Sequence, residues 1–291
     1  MSHLNAGTLF GVNDMVFVIT GAGSGIGAMM AKALALNGAA KVYILGRRLE
    51  KLEETAKSSP NIIPIQCDVS SKDALAAAAA KVKTESGFVN AVIANSGIAG
   101  PTIQELPNNA TLDQFYEFLW KVPAEDITNV FAVNTTAVLY TCIAFLPLLD
   151  AGNRNEKSPG HTLKIRSQFI STSSMAAFNR KATAGFAYGA SKAGQTHLMK
   201  MLAYYLSPYL IRTNVIAPGL YASEMTEGLY KDKDPTVEGF IPGDIIPLKR
   251  YGSEEDMAGA ILYLCSKAGA YLDSNVLLTD GGRLALMPAT Y

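Results

Sequence analysis

Short aliphatic and β-branched runs alternate with longer segments of helical periodicity along most of the chain. Seven runs are predicted to be strands: Met15–Thr20, Lys41–Leu45, Asn61–Gln66, Asn90–Ala94, Leu163–Ser171, Thr213–Ile216 and Asn275–Leu278. The intervening segments predict helices: Gly25–Asn37, Leu49–Lys57, Lys72–Thr84, Pro123–Leu149, Tyr188–Leu206 and Glu254–Leu264. Because parallel neighbours need right-handed crossovers, this alternation predicts an α/β fold with one doubly wound, mostly parallel sheet flanked by helices on both faces.

Three stretches interrupt the alternation. Pro101–Val122 reads as an irregular insertion that contains aromatic residues, and Asp150–Pro159 reads as a polar loop. Tyr221–Leu248, rich in glycine and proline, separates the sixth strand from the next helix. No internal repeat or linker is visible, so residues 1–291 are interpreted as a single domain.

Composition and charge narrow the classes of function. Hydrophobic residues make up 49% of the 291 positions and charged residues 17%, as in globular enzymes. The 25 basic and 25 acidic side chains balance to a formal net charge of zero. This balance gives no electrostatic reason to expect nucleic acid or an anionic membrane as a partner.

The cysteines and the first residues indicate a compartment. Cys67, Cys142 and Cys265 are odd in number and far apart, which favours reduced thiols and offers no metal-ligand spacing. The first 15 residues lack the layout of a signal peptide, and no apolar run approaches the ~20 residues of a membrane span. We therefore expect a cytoplasmic protein.

A glycine-rich segment, Thr20-Gly21-Ala22-Gly23-Ser24-Gly25-Ile26-Gly27, joins the first strand to the first helix. Glycines let the backbone approach a pyrophosphate, whose charge the helix N-terminus favours. An ordinary glycine-rich turn is the alternative, and the strand-turn-helix setting favours the dinucleotide. The candidate contacts are Gly21, Ser24, Gly25, Ile26 and Gly27.

The second strand ends at Gly46-Arg47-Arg48. An acidic residue there would accept hydrogen bonds from an adenosine ribose, whereas guanidinium groups suit a 2′-phosphate. The pair therefore predicts NADP(H) as the cofactor. Solvated helix-start side chains are the alternative, which weakens the assignment of Arg48 more than that of Arg47.

The clearest candidate for chemistry is Tyr188-Gly189-Ala190-Ser191-Lys192. Residues four apart share one face of a helix, so Tyr188 and Lys192 are predicted to point the same way. Just before them, a strand ends in the hydroxyl-rich run Ser171-Thr172-Ser173-Ser174. Tyr263-Leu264-Cys265-Ser266-Lys267 has the same spacing but comes late in the chain, and it is interpreted as structural.

Four further short motifs follow predicted strands in chain order: Cys67-Asp68-Val69, Ala94-Asn95-Ser96-Gly97, Pro218-Gly219-Leu220-Tyr221-Ala222-Ser223 and Thr279-Asp280-Gly281-Gly282. With the glycine loop and the Tyr-x-x-x-Lys pair, this order resembles the short-chain dehydrogenase/reductase family from about Met15 to Gly282. The resemblance implies a Rossmann-type domain. The chain departs from the family at Ala94, where an asparagine is usual, and at Ser223, where a threonine is usual.

The resemblance also implies roles for cofactor contacts. Asp68, followed by Val69, would meet the adenine amino group, and Ser223 would contact the nicotinamide carboxamide. The other residues would shape or line the cofactor site: Asn95, Gly97, Pro218, Gly219 and Tyr221.

For catalysis, the resemblance implies that Tyr188 protonates the substrate oxygen and that Ser174 donates a hydrogen bond to the same oxygen, with Ser173 as the alternative. Lys192 would lower the pKa of Tyr188 and bind the nicotinamide ribose. Asn134 would hold a water beside the lysine, although a local helix irregularity is a competing interpretation of this residue.

The predicted activity is NADPH-dependent, reversible reduction of the ketone of a medium-sized, largely apolar substrate. Apolar residues of 221–248 and of the 101–122 insertion are candidates for the pocket wall. The alternatives are a 3-oxoacyl-thioester reductase, an NADP-dependent alcohol dehydrogenase and, in another class, a non-catalytic redox sensor or scaffold. The resemblance further implies a homodimer or homotetramer, while the spacing of Tyr188 and Lys192 disfavours enoyl reduction.

Overall fold

All seven strands belong to one parallel sheet with the order β3-β2-β1-β4-β5-β6-β7. The computed structural model describes residues 2–230 and 233–291, so positions 231 and 232 of the predicted substrate loop lie outside the described residues. The strands are β1 (Val16–Thr20), β2 (Lys41–Gly46), β3 (Ile62–Gln66), β4 (Ala91–Ala94), β5 (Gln168–Thr172), β6 (Arg212–Pro218) and β7 (Asn275–Thr279). The predicted fold class, a doubly wound α/β sheet, is confirmed.

Helices cover both faces of the sheet. They are α1 (Ala6–Phe10), α2 (Gly25–Leu36), α3 (Leu49–Ala56), α4 (Lys72–Ser86), α5 (Leu112–Trp120), α6 (Ala124–Phe131), α7 (Ala137–Arg154), α8 (Pro159–Thr162), α9 (Phe186–Leu206) and α10 (Glu254–Cys265). A π-helical segment, Ala132–Thr136, joins α6 to α7.

Strand β1 shows why the apolar runs are continuous. All five of its residues are buried. Phe17 and Ile19 belong to a core cluster with residues of α2 and α10, while Val16 and Val18 belong to a cluster with residues of α4 and α7. A parallel sheet covered on both faces needs apolar side chains at every strand position, rather than at alternate ones.

The structure differs most from the predicted elements at the longest predicted helix, Pro123–Leu149. This helix is divided into α6, the π segment and α7, and α7 continues to Arg154 into the predicted polar loop. The insertion is also not wholly irregular, since α5 forms there behind a Thr111–Gln114 capping box. Strand β5 is shorter than predicted because its pairing begins only at Gln168.

By length and composition alone, the helical run 124–154 could cross a membrane, because an 18-residue window has a mean hydropathy of 1.7. This differs from the expectation that no such run exists. In the fold, its residues Phe145 and Leu149 are fully buried in the cluster that packs on the sheet. The buried share of the apolar window is 44%, so the run packs part of its surface into the core of the fold.

The strand order locates the site. Strands β2 and β3 lie on one side of β1, and β4 to β7 lie on the other. In doubly wound sheets, ligands bind at the carboxyl ends of the strands beside such a reversal. The loops after β1, β2, β4 and β5 therefore meet at one edge of the sheet.

Candidate active site

A cleft of about 550 Å³ opens at this edge of the sheet. The structure brings most of the sequence-predicted site residues together in its wall: Gly21, Ser24, Gly25, Ile26, Arg47, Asp68, Val69, Asn95, Gly97, Ser174, Tyr188, Lys192, Pro218, Gly219, Tyr221 and Ser223. Gly27, Arg48 and Asn134 are not part of the wall. Within the described residues, no group of three His, Cys, Asp or Glu side chains forms a metal-binding cluster.

The glycine loop is held against the end of β4. The Thr20 hydroxyl oxygen accepts hydrogen bonds from the backbone amides of Asn95 and Ser96 at 3.0 and 3.1 Å, and the Asn95 side chain donates to the Gly21 carbonyl at 3.2 Å. Gly21 has a φ of 66°, and a Cβ there would lie 2.9 Å from the Ser96 Cα. A side chain at this position would break the contact between the two loops.

The start of α2 fits a dinucleotide pyrophosphate. Gly25 has a φ of 53°, and Ser24, the N-cap residue, makes no side-chain capping bond to the helix. A Cβ on Gly27 would overlap the Gly21 carbonyl oxygen and lie 2.5 Å from the Asn95 side-chain nitrogen. Close backbone approach and uncapped helix-start amides are what an anionic diphosphate requires.

The two arginines after β2 have different surroundings. Arg47 lines the cleft near Asp68, whose carboxylate accepts hydrogen bonds from the Ser70 hydroxyl and amide, so that the pKa of Asp68 is lowered. Arg48 points to Glu224, and its Nη2 lies 2.6 Å from the Glu224 Oε2. The structure therefore places Arg47, rather than Arg48, at the wall of the cleft.

Tyr188 and Lys192 lie one turn apart on α9, at the other end of the cleft. The Lys192 Nζ is 5.9 Å from the centroid of the Tyr188 ring and donates a hydrogen bond to the Thr172 carbonyl at 2.8 Å. The Ser174 hydroxyl interacts with the Tyr188 hydroxyl and opposes the rise in its pKa. Three side chains, one from the segment after β5 and two from α9, thus converge on one spot.

The two candidate serines face in different directions. The Ser173 hydroxyl lies 3.1 Å from the Lys192 carbonyl and 2.7 Å from the Thr196 hydroxyl, so it joins the end of β5 to α9. The Ser174 hydroxyl accepts a hydrogen bond from the Ala176 amide at 3.1 Å and lies beside Tyr188. Of the two, Ser174 has the geometry needed to touch the substrate oxygen together with Tyr188.

Burial is the main influence on the pKa values of Tyr188 and Lys192. Burial raises the pKa of Tyr188, and the hydrogen bond with Ser174 offsets only part of that rise. Burial lowers the pKa of Lys192 to about 7. The expected lowering of the Tyr188 pKa is therefore wrong for the protein by itself, because desolvation disfavours phenolate and also leaves Lys192 only partly charged near neutral pH.

Asn134 is fully buried in the π segment. Its side chain accepts from the Ile98 amide at 2.9 Å and donates to the Ile98 carbonyl and the Ser191 hydroxyl, both at 3.0 Å. A Cβ on Gly97 would lie 3.2 Å from the Asn134 Oδ1 and 3.3 Å from the Lys192 Nζ. Asn134 thus holds the loop after β4 beside Lys192, and the helix irregularity considered from the sequence is present at the same residue.

The segment after β6 forms the opposite wall. A Cβ on Gly25 would lie 3.0 Å from the Ser223 Cβ, so Ser223 approaches the glycine loop closely. Tyr221 is buried, and its pKa is raised mainly by burial. The segment therefore brings Ser223 within contact distance of the backbone that fits the pyrophosphate.

Most apolar residues proposed for the substrate pocket lie elsewhere. Six apolar residues after β6 were candidates: Met225, Leu229, Tyr230, Phe240, Ile241 and Ile245. Of these six, Met225 alone lines the cleft, while Tyr230 and Phe240 pack against Tyr251. None of the insertion aromatics lines the cleft: Phe115, Tyr116, Phe118 and Trp120. Ile98 and Val133, which the sequence did not single out, supply apolar wall instead.

Two further contacts were missed from the sequence. Thr172 acts through its backbone carbonyl, so no side-chain pattern indicates it. Glu224 reaches Ser24 and Arg48 across 200 and 176 residues of chain, and no local signal predicts such a contact.

The second Tyr-x-x-x-Lys pair, Tyr263 and Lys267, lies outside the cleft wall, in keeping with its interpretation as a structural pair.

Comparison with known proteins decides the family. The family model described as enoyl-(acyl carrier protein) reductase, of the short-chain alcohol dehydrogenase type, matches residues 21–283. The short-chain dehydrogenase/reductase PhomF of Diaporthe leptostromiformis is 45% identical over 291 residues, covering 99% of this chain and 97% of PhomF. The chain belongs to the short-chain dehydrogenase/reductase family.

Solved structures agree with this assignment. The Pseudomonas aeruginosa RhlG/NADP active-site complex has a TM-score of 0.78 at 28% identity, with 95% of this chain and 98% of that chain covered. A 3-ketoacyl-(acyl-carrier-protein) reductase from Brucella melitensis complexed with NADH has a TM-score of 0.74 at 26% identity, with 94% and 99% covered. This dehydrogenase/reductase is thus an oxidoreductase that binds a nicotinamide dinucleotide.

Proposed function

We propose that the protein uses NADPH to reduce the ketone of a medium-sized, largely apolar substrate to a secondary alcohol. The observation that carries the proposal is the joint placement of Tyr188, Ser174 and Lys192 in the wall of one cleft, which Arg47 lines as well. A redox sensor or scaffold would need the cofactor contacts but not the three polar groups around one reacting oxygen.

Arg47 supports NADPH over NADH. Its guanidinium lines the cleft after β2, at the place where a carboxylate would favour an unphosphorylated ribose. A planar, permanently charged group suits the 2′-phosphate. RhlG, one of the similar structures, is a complex with NADP, although the Brucella melitensis reductase is a complex with NADH.

A nicotinamide dinucleotide bound in this cleft supplies the hydride. Tyr188 donates its phenolic proton to the carbonyl oxygen as the oxygen gains charge, and Ser174 donates a hydrogen bond to the same atom. The raised pKa of Tyr188 keeps the phenol protonated at neutral pH, which is the form that reduction needs. A positioned acid of this kind typically contributes ~10²–10⁴-fold to the rate.

Lys192 and Asn134 organise this acid. The Thr172 carbonyl fixes the Lys192 ammonium beside Tyr188, and Asn134 holds the loop after β4 against the same nitrogen. With a pKa of about 7, Lys192 can give up or accept a proton near neutral pH, at a nitrogen that lies 5.9 Å from the centroid of the Tyr188 ring.

A 3-oxoacyl thioester is the second candidate substrate. The similar Brucella melitensis structure is a 3-ketoacyl-(acyl-carrier-protein) reductase, and the matched family model carries an enoyl-(acyl carrier protein) reductase description. A substrate panel therefore needs a free ketone, a 3-oxoacyl thioester and an enoyl thioester side by side.

The test of the cofactor is a fluorescence titration of the purified protein with NADPH and, separately, with NADH. We expect tighter binding of NADPH, because only NADPH offers a phosphate to Arg47. Tighter binding of NADH would overturn the NADPH proposal. Absence of binding to either dinucleotide would favour a protein that no longer uses the cleft for redox chemistry.

A further inference from the structure

The Glu224 carboxylate lies at the cofactor cleft and makes contacts that a phosphate would make. Its Oε2 accepts a hydrogen bond from the Ser24 hydroxyl at 3.1 Å and lies 2.6 Å from the Arg48 Nη2. Ser24 belongs to the glycine loop and Arg48 follows β2, so one oxygen joins two parts of the predicted cofactor site. The same two partners lower the pKa of Glu224 and keep it ionised.

A carboxylate and a phosphate compete for such a place. Both are anions whose oxygens accept charge-assisted hydrogen bonds from a guanidinium and a hydroxyl. Arg48 donates through its Nη2 to Glu224, so a 2′-phosphate can use that donor only if the carboxylate gives way. NADH carries no such phosphate and does not compete with Glu224 for Arg48.

We propose that Glu224 limits the preference of this protein for NADP(H) by competing with the 2′-phosphate for Arg48 and Ser24. Glu224 weakens the binding of NADP(H) relative to that of NAD(H). This inference rests on the proposed function in one respect, namely that the adenosine end of the cofactor lies between the glycine loop and the arginines. It adds a residue that acts against the preference that Arg47 creates.

The exposure of the ion pair makes the exchange feasible. The Arg48 and Glu224 side chains are 54% and 44% exposed, and ion pairs at this level of exposure contribute little. A phosphate that reaches Arg48 therefore replaces a weak partner. If Glu224 stays nearby, its charge repels the phosphate, which acts in the same direction.

A different role would give the opposite result. The segment 223–226 lines the cleft, so the Glu224 contacts could act as a clasp that closes over any bound dinucleotide. A clasp would slow the release of both cofactors. Loss of Glu224 would then weaken the binding of NADPH and of NADH alike, whereas competition predicts tighter binding of NADPH alone.

The experiment compares Glu224→Gln with the native protein in fluorescence titrations with NADPH and NADH. We expect the dissociation constant for NADPH to fall roughly fivefold, the size expected for release of one exposed ion pair, and that for NADH to stay within about twofold. Glu227→Gln is the matched control, because Glu227 is an exposed glutamate of the same loop outside the cleft wall.

Two further arms make the outcome decisive. The gain should vanish in the Arg48→Gln, Glu224→Gln double variant, because it acts through Arg48. An unchanged affinity for NADPH, or an equal loss for both cofactors, would overturn the competition. If the native protein binds NADH more tightly than NADPH, the proposed use of NADPH is wrong, but a selective gain in NADPH affinity in Glu224→Gln would still support the role of Glu224. If no variant binds NADPH, the proposed function and the role of Glu224 are both wrong.

Discussion

Lys192 is the residue at which burial and charge oppose each other most directly. Its ammonium is buried between β5 and α9, and its pKa is about 7 instead of the usual 10.5. Between these two values the unfolded chain binds more protons than the folded protein. The contribution of Lys192 to the free energy of unfolding therefore rises with pH through this window and is most unfavourable below about pH 7.

Replacing Lys192 by methionine tests how much stability the buried lysine costs when it is charged. Relative to Lys192→Met, the native protein should gain about 3 kcal/mol in free energy of unfolding between pH 7 and pH 9.5, because other groups cancel in the difference. Urea unfolding of the cofactor-free proteins at the two pH values measures it. Lys200→Met, which removes an exposed lysine of the same helix, is the control. If the stability difference from the native protein changed with pH as little for Lys192→Met as for Lys200→Met, the burial of a charged lysine at position 192 would be contradicted.

At this scale the sequence identifies residues better than it identifies their surroundings. Tyr188 and Lys192 could be predicted because their spacing fixes a shared helix face. The choice between Ser173 and Ser174 depends on which way a strand end turns. The direction of the Tyr188 pKa depends on burial by segments distant in the chain, which no local pattern encodes.

The π segment is the element that shapes the site most. It interrupts what periodicity predicts as one helix, and it places Asn134 against the loop after β4. π-Bulges often occur at functional sites, since the extra residue turns a side chain out of the regular helical register. Here the reoriented side chain satisfies both backbone groups of Ile98.

Asn134→Ala should therefore cost about 1–3 kcal/mol of stability, because it removes a fully buried side chain and leaves the part-buried amide and carbonyl of Ile98 without their partner. The matched control is Thr128→Ala, which removes one exposed hydrogen bond to Ala124 on the neighbouring helix α6 and should cost under about 0.5 kcal/mol. Urea unfolding compares the two. Equal costs would show that Asn134 does not anchor the loop.

The sequence predicts which elements exist better than it predicts where each one begins and ends. The apolar runs predicted all seven strands, because a sheet covered on both faces needs buried residues throughout. Periodicity could not reveal the π segment, since one inserted residue barely alters the spacing of apolar positions. Nor could it place α5, where the Thr111–Gln114 capping box is a local signal that outweighs the irregular pattern.

At the scale of the whole molecule, the parallel sheet and the position of the cleft follow from the order of strands. Contacts between distant loops do not, and the Glu224 pair with Arg48 is an example. The predicted homodimer or homotetramer remains a prediction. Helix α9 carries Tyr204 and Tyr205 with 76% and 69% of their surface exposed, which a second copy could cover.

The role of Tyr188 as the proton donor is decided by following NADPH oxidation during incubation with a panel of apolar ketones and thioesters. The native protein and Tyr263→Phe, a tyrosine of the second Tyr-x-x-x-Lys pair, should both turn over at least one ketone. Tyr188→Phe should lose at least about 10²-fold in turnover while its affinity for NADPH stays within about twofold, because it removes only the acid. Turnover by Tyr188→Phe at the native rate would contradict the assignment of Tyr188 as the proton donor and with it the proposed reaction.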